Sequence, residues 1–193
     1  MLAHIQNRIH LCFMCACMLC SIACAHPHMF IDVSMKFMLS DSGLAGIYVY
    51  WEMDEMNSAW LIDEYDKNKN RIFEKAEQNA IRSEAFGNAA GQNYFLSLTW
   101  GITSLHSVVA EQFSASIKNK STVVYSFYIP CNIGLRRGMS TQIYLFFEDP
   151  TIYIAFTLKK GLIKVSSNDY TEGSISFQKI DYSDAAVLQL KRK

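Results

Sequence analysis

A strict alternation of apolar and polar residues near the start of the chain constrains the fold more than any other feature. The odd positions of 31–39 are apolar, whereas positions 32, 34 and 36 are polar. Because successive side chains of a strand point to opposite faces, this pattern predicts a strand with one buried face. The segment 40–43 reads Ser-Asp-Ser-Gly, which is typical of a tight turn, and the alternation resumes over 45–53. The sequence therefore predicts a β-hairpin.

Two helices are predicted after the hairpin, because apolar residues then recur at helical spacing. The first should begin at Asp54 and Glu55, since acids suit a helix N-terminus, and should end at Tyr65. The second is predicted over 73–89. The apolar residues at helical spacing are Met56, Trp60 and Leu61 in the first helix, and Ala76, Ala80, Ile81 and Ala85 in the second.

The remaining chain is predicted as short strands separated by turn-forming residues. These strands are expected at 94–100, 106–117, 122–129, 142–148, 151–158, 163–167 and 174–180. No helical stretch separates them, which favours antiparallel pairing over β-α-β units. The predicted fold class is therefore α+β, an antiparallel β-sheet or sandwich with an EF-hand-like helix-loop-helix insertion at 54–90 after the first hairpin.

The cysteines indicate where the chain is processed. Five of the six lie within residues 1–24, in an apolar stretch without acidic residues that follows Arg8. This composition is typical of a secretory signal peptide, which we predict over 1–25. Cleavage there leaves His26 as the first residue of a single α+β domain over 26–193, which is expected to be periplasmic or exported.

Two alternatives to cleavage stay open, namely an uncleaved membrane anchor and a lipid-anchored N-terminus at Cys24. In each case the folded part keeps only Cys131, so no internal disulfide is predicted. Across the chain, 18 Lys+Arg balance 18 Asp+Glu. The basic charge expected of a nucleic-acid-binding protein is absent, so no nucleic-acid partner is predicted.

Residues 66–77 match the twelve-residue calcium-binding loop at five of its six diagnostic positions. The six ligands would be Asp66, Asn68, Asn70, Ile72, Glu74 and Glu77. Arg71 stands where the loop usually has glycine, and a non-glycine residue at positive φ costs roughly 1–2 kcal/mol. Three carboxylates face four basic residues on this stretch. Two interpretations follow: a weak calcium site that stabilises the fold, or a degenerate helix-loop-helix that holds no ion.

The tripeptide His26-Pro27-His28 is a candidate transition-metal site at the predicted mature N-terminus. Proline favours an extended residue before it, and side chains two apart on an extended chain emerge on the same side. The α-amine of His26 would add a third nitrogen. Such nitrogen ligands suit nickel, cobalt, zinc or copper. The alternative is a pair of exposed terminal histidines, since a closed site needs more ligands and the predicted mature chain has one other histidine, His106.

Catalytic motifs are absent from the sequence, which contains no nucleophile elbow, phosphate-binding glycine loop or H-E-x-x-H zinc motif. Glu52, Asp54 and Glu55 cluster at the junction of hairpin and helix, but acids there also suit a helix start. The protein is therefore not predicted to be an enzyme. Catalysis would require a pocket that gathers Glu52, Asp54 and Asp149.

Several segments, collinear from residue 26 to about 156, carry a resemblance to a known family. They are His26-Pro-His-Met-Phe-Ile-Asp32, Trp51-Glu-Met-Asp-Glu55 with Ser58, the 66–77 loop, Tyr94-Phe95, and Glu148-Asp-Pro-Thr-Ile-Tyr-Ile-Ala-Phe156. These segments resemble the exported proteins of domain-of-unknown-function family 1007. Members are described as the periplasmic component of an uncharacterised ABC-type transport system, and are often encoded beside nickel/cobalt exporters.

The resemblance implies an association with metal transport, and it supports His26 and His28 as metal ligands because family members begin the mature chain with the same tripeptide. Family loops usually read D-x-D-x-D-G, from which Asn68, Asn70 and Arg71 depart. Two hypotheses follow. The first is a periplasmic accessory protein that binds a transition metal and partners a membrane metal transporter. The second is a non-catalytic structural or adaptor module of a membrane transport system, in which the EF-hand-like loop only stabilises the fold.

Overall fold

A computed structural model describes residues 27–193 of the chain. The predicted signal peptide over 1–25, the lipidation candidate Cys24 and the candidate ligand His26 lie outside the described residues. None of the helices within 27–193 combines the length and the apolar character that a membrane span requires.

The predicted hairpin is confirmed as β1 (Met29–Ser40) and β2 (Gly43–Met53), which pair antiparallel. The side chains of Ile31, Val33, Met35 and Phe37 are buried. The alternation in β2 was predicted to begin at Ala45, but Leu44 is the buried residue there. The pairing shifts register between Leu44 and Gly46, and such a bulge moves the following residues to the other face.

Nine further strands follow within residues 27–193. They are β3 (Leu96–Trp100), β4 (Thr103–Ser104), β5 (Glu111–Lys118), β6 (Thr122–Gly134), β7 (Ser140–Phe147), β8 (Ile154–Leu158), β9 (Lys164–Val165), β10 (Thr171–Ile180) and β11 (Ser183–Arg192). The first sheet has the order β5-β6-β2-β1-β8, with β9 also paired to β1. The second sheet has the order β10-β11-β7-β3-β4.

The β-rich architecture is confirmed and most strand pairs are antiparallel, but the two parallel pairs of β1 were not predicted. β1 pairs in parallel with both β8 and β9, because the chain returns to the first sheet after β7 has joined the second. Some predicted strand ends also differ. The strand predicted over 106–117 begins at Glu111, and β6 continues through Pro130 to Gly134. Pro130 is tolerated because it lies opposite Gly46 at the bulge, where the ladder is irregular.

Both sheets contribute to one hydrophobic core. Trp51 lies within it, and its ring centroid is 5.0 Å from that of Phe127 and 6.0 Å from that of Phe86. Phe147 and Phe156 also contact this ring, at centroid distances of 6.2 and 5.7 Å. With a single cysteine in the described chain, burial of this aromatic cluster replaces disulfides as the source of stability.

The segment between β2 and β3 is helical, with the first helix as predicted. Helix α1 spans Glu55–Tyr65, and the Asp54 carboxylate caps it by accepting a hydrogen bond of 2.8 Å from the Asn57 amide. Its buried residues are Ser58, Leu61, Ile62 and Tyr65. Met56 and Trp60 were predicted on its apolar side, but they are 67% and 57% exposed.

The second helix was predicted as one stretch over 73–89, which is wrong. Helix α2 covers only Lys75–Ala80 and is followed by a π-helical turn over Ile81–Ala85 and 3₁₀ turns over Phe86–Phe95. Gly87 and Gly91 lower helix propensity in this last part. Ala76, predicted to be apolar-facing, is exposed, whereas Ile81 is fully buried.

Candidate functional site

His28 is exposed and lies immediately before β1, beside the turn that precedes β8. Its backbone amide donates a 2.8 Å hydrogen bond to the carbonyl of Tyr153, and its ring centroid is 5.2 Å from the Tyr153 ring. The His28 carbonyl accepts a 3.4 Å hydrogen bond from the Asn57 side chain of α1. These contacts hold the imidazole at a defined place while the side chain stays exposed to solvent.

The described part of the chain does not complete a metal site around His28. Within residues 27–193, no three His, Cys, Asp or Glu side chains are grouped so that they could hold an ion. His106 is exposed in the loop between β4 and β5. A site of three such ligands at His28 would therefore need a ligand from outside the described residues, such as His26.

Burial disfavours the reactive thiolate form of Cys131. Its thiol donates a 3.6 Å hydrogen bond to the carbonyl of Ile129, and burial raises its pKa to about 12. Because the thiolate is the form that attacks substrates and binds metals, a protonated thiol serves neither purpose.

The loop after α1 is folded around the buried carboxylate of Asp66. Its two oxygens accept hydrogen bonds of 3.1 Å from the Asn70 amide and 3.0 Å from the Arg71 amide. Arg71 adopts a φ of 63°, as the sixth position of a calcium-binding loop requires. Arg71 thus adopts the backbone conformation of the sixth loop position although it is not glycine.

The other predicted calcium ligands are satisfied by the loop itself. The side-chain amides of Asn68 and Asn70 donate to the Glu74 carboxylate at 3.0 and 2.9 Å. Glu77 accepts hydrogen bonds from the backbone amides of Lys67 and Glu74, each at 2.9 Å. The NH₂ groups of Asn68 and Asn70 both face Glu74, so calcium binding at this loop would require both amides to turn their oxygen atoms towards the ion.

The acids considered for catalysis have separate structural partners. Glu52 pairs with Lys118 at 2.8 Å, and Asp54 caps α1. Asp149 closes the turn before β8 by accepting hydrogen bonds of 2.9 Å from each of the Thr151 and Ile154 amides. The structure does not bring Glu52, Asp54 and Asp149 into one pocket of the described chain.

Trp51 and Tyr125 are not among the residues that the sequence predicted to bind a ligand. Within residues 27–193, Trp51 Nε1 and Tyr125 Oη are the buried side-chain polar atoms without a hydrogen-bond partner. Both residues line the same apolar pocket beside α1. Their residue types were the one sequence feature that could have pointed to them, because Trp and Tyr at core-facing strand positions carry polar atoms that need hydrogen-bond partners.

These features define a β-rich, two-sheet protein with a helical segment after its first hairpin and an exposed histidine at the start of its first strand. The family model described as "Protein of unknown function (DUF1007)" matches residues 11–183. The chain therefore belongs to this family, and the resemblance noted from the sequence is confirmed.

One curated relative is a protein from Haemophilus influenzae described as "Uncharacterized protein". It is 34% identical over 71 residues, which are 37% of this chain and 32% of that protein. The matched stretch thus spans about a third of the length of the relative.

Proposed function

We propose that this protein is an exported, non-catalytic accessory protein of transition-metal transport that presents His26 and His28 to nickel, cobalt, zinc or copper. The observation that carries the proposal is the placement of His28. Its backbone is fixed by the Tyr153 carbonyl, its imidazole is exposed, and His26 lies two residues before it. Two imidazoles and a terminal amine together offer the borderline nitrogen ligands that these metals prefer. The metal is cargo, delivered to or buffered for a membrane metal transporter.

The test is a calorimetric titration of the processed protein with nickel, zinc and copper. Mass spectrometry first establishes whether the chain begins at His26, at a lipidated Cys24 or at an uncleaved leader. Replacement of both His26 and His28 by alanine should weaken binding at least tenfold. The matched control is His106→Ala, which removes an exposed histidine elsewhere and should leave the affinity unchanged. Unchanged affinity in the double variant would exclude the proposal.

A structural or adaptor role is the second candidate, and the 66–77 loop favours it. On this proposal, residues 54–90 form an EF-hand-like helix-loop-helix whose task is to stabilise the fold. The support is that Asp66, Glu74 and Glu77 are all engaged in hydrogen bonds within the loop. Calcium would add stability only after the amides of Asn68 and Asn70 rotate to present oxygen atoms.

Glu77→Gln distinguishes the loop's own hydrogen bonds from calcium binding. The variant loses one carboxylate oxygen as an acceptor, so its melting temperature should fall in the presence of a chelator. If the loop binds calcium, millimolar calcium should raise the melting temperature of the native protein but not of Glu77→Gln. Glu64→Gln, on the exposed surface of α1, serves as the control and should behave as the native protein. An equal calcium response in Glu77→Gln would argue against this loop as the calcium site.

A further inference from the structure

Three methionine side chains line one pocket beside α1. The pocket has a volume of about 620 Å³, and residues of β1, β2, β6, α1 and the helical turns after α2 line it. Its sulfur-bearing lining residues are Met29, Met53 and Met56. The remaining methionines of the described chain lie elsewhere, at positions 35, 38 and 139. Half of the methionines within 27–193 therefore face a single pocket.

Strand pairing places Met29 and Met53 close together. Ile31 of β1 pairs with Met53 of β2, and Met29 lies two residues before Ile31 on the same face of its strand. Met29 and Met53 are thus diagonal neighbours across the hairpin. Such neighbours are about 7–8 Å apart, which is within reach of long side chains. Two flexible thioethers at this spacing can bring their sulfur atoms to one ion.

Met56 lies at the start of α1, which is held against the same end of β1. The Asp54 amide donates a 3.0 Å hydrogen bond to the Phe30 carbonyl, and the Phe30 amide donates a 2.7 Å hydrogen bond to the Asp54 carboxylate. These bonds continue the pairing of the hairpin beyond its last ladder pair. Met29 therefore lies across from the first turn of α1, which contains Met56. The three thioethers thus come from neighbouring positions at one end of the hairpin.

The chemistry of this lining favours one class of ligand. A thioether is a soft, uncharged ligand, and such ligands select copper(I) among the transition metals. Among the described residues that line the pocket there is no lysine or arginine to repel a cation, and the Glu84 carboxylate is the one charged group. Its single negative charge matches the single positive charge of copper(I). Nickel(II), cobalt(II) and zinc(II) prefer imidazole, thiolate or oxygen ligands, which three thioethers do not offer.

The three methionines differ in exposure in a way that gives an ion access. Met56 is 67% exposed, Met29 is half-buried and Met53 is 5% exposed. Core packing explains the position of Met53 but not that of Met56. Trp60 is also exposed at this pocket, and the faces of aromatic rings attract cations. An ion can thus approach from solvent at Met56 and bind between this sulfur atom and the two more buried ones.

We propose that Met29, Met53 and Met56 bind a soft monovalent metal ion, copper(I) or silver(I), in this pocket. The ion is held by three sulfur atoms, and the Glu84 carboxylate of the pocket wall balances its charge. The site differs in its ligands from the histidine pair, which offers nitrogen atoms, and neither proposal depends on the other.

The test is a calorimetric titration of the full processed protein with silver nitrate, because silver(I) shares the charge and ligand preference of copper(I) and is stable in air. Every protein carries Cys131→Ser, so that binding to the thiol does not enter the measurement. Saturable binding of one ion is expected. Met56→Leu should weaken binding at least tenfold, since leucine keeps the apolar volume and removes the sulfur atom. The matched control is Met139→Leu, which replaces an exposed methionine outside the pocket and should leave the affinity unchanged.

Nuclear magnetic resonance of the methionine methyl groups identifies the ligands directly. One equivalent of silver should shift the signals of Met29, Met53 and Met56 and leave the signal of Met139 in place. The inference is overturned if no silver binds, if all methionine signals shift alike, or if Met56→Leu binds silver as tightly as Met139→Leu.

The histidine pair is tested separately in the same titration. The double variant His26→Ala and His28→Ala should keep its silver affinity within threefold, because the thioethers are intact. Loss of silver binding in this variant would overturn the inference, since the histidines would then be the ligands. Failure of the histidines to bind nickel, zinc or copper(II) would exclude the proposed function and leave the silver result unaffected.

Discussion

Replacement of Ser58 by alanine should destabilise the protein by about 2 kcal/mol, although it removes a single oxygen atom. Ser58 is 0% exposed on the inner side of α1. Its hydroxyl accepts a 3.0 Å hydrogen bond from the Val123 amide and donates a 3.2 Å hydrogen bond to the Met53 carbonyl. The residue thus connects α1 to both β6 and β2.

The magnitude follows from what the alanine variant leaves behind. The buried amide of Val123 loses its acceptor, and an unsatisfied buried donor costs about 1–3 kcal/mol. The Met53 carbonyl also loses one donor, for about 0.5–1.5 kcal/mol, and partial relaxation reduces the sum. For a protein of this size, about 2 kcal/mol corresponds to a fall in melting temperature of about 4–8 °C.

Urea unfolding followed by far-ultraviolet circular dichroism measures the effect. The midpoint should fall while the m-value stays constant, because the surface exposed on unfolding does not change. Ser83→Ala is the matched control, since Ser83 is exposed and bonds only to helix carbonyls, so its effect should stay within about 0.5 kcal/mol. If Ser58→Ala is no more destabilising than Ser83→Ala, the hydrogen-bond argument is refuted.

Two further predictions concern the close packing of Gly46 against β6 and the pH dependence of stability at Asp149. Gly46→Ala should lower the free energy of unfolding, measured in urea, by roughly 1–3 kcal/mol, because a Cβ there would lie 2.5 Å from the Ile129 carbonyl oxygen. Gly161→Ala is the control and should be nearly neutral, because the space around Gly161 is open. Burial alone would raise the pKa of Asp149, but the hydrogen bonds that its carboxylate accepts lower the pKa overall. The ionised carboxylate therefore stabilises the fold above about pH 4, and this contribution is lost as the pH falls further. The stability difference between the native protein and Asp149→Asn should therefore be largest above pH 5 and shrink towards pH 3. A difference that is independent of pH would contradict this assignment.

Local patterns predicted the hairpin and α1 because each depends on neighbours in sequence. The alternation over 31–39 fixes one face of β1, and Asp54 provides a cap for the helix that follows. The parallel pairing of β1 with β8 was not predictable in this way, since it joins residues more than one hundred positions apart. β11 was missed because its run 185–188 is buried on both faces, so period-two alternation is absent.

The candidate sites were predicted to different extents for a similar reason. The positive φ at Arg71 was predicted, because the spacing of the loop residues specifies it. The rotation of the Asn68 and Asn70 amides towards Glu74 was not, since it depends on competition between hydrogen bonds inside the loop. The pairing of Trp51 with Tyr125 was also missed, because it follows from the register of β2 against β6.

The way α1 is attached to the first sheet explains why a pocket persists beneath it. At its start, the Asp54 carboxylate accepts a 2.7 Å hydrogen bond from the Phe30 amide of β1, and one turn later Ser58 binds β2 and β6. These hydrogen bonds fix the distance between the helix and the sheet at these points. Apolar contacts alone would favour closer packing of the helix, which would fill the pocket. Met56 and Trp60 consequently stay at the rim instead of filling the core. Loss of the Ser58 hydroxyl should therefore loosen α1 from the first sheet as well as lower stability, because this one side chain joins the helix to both β2 and β6.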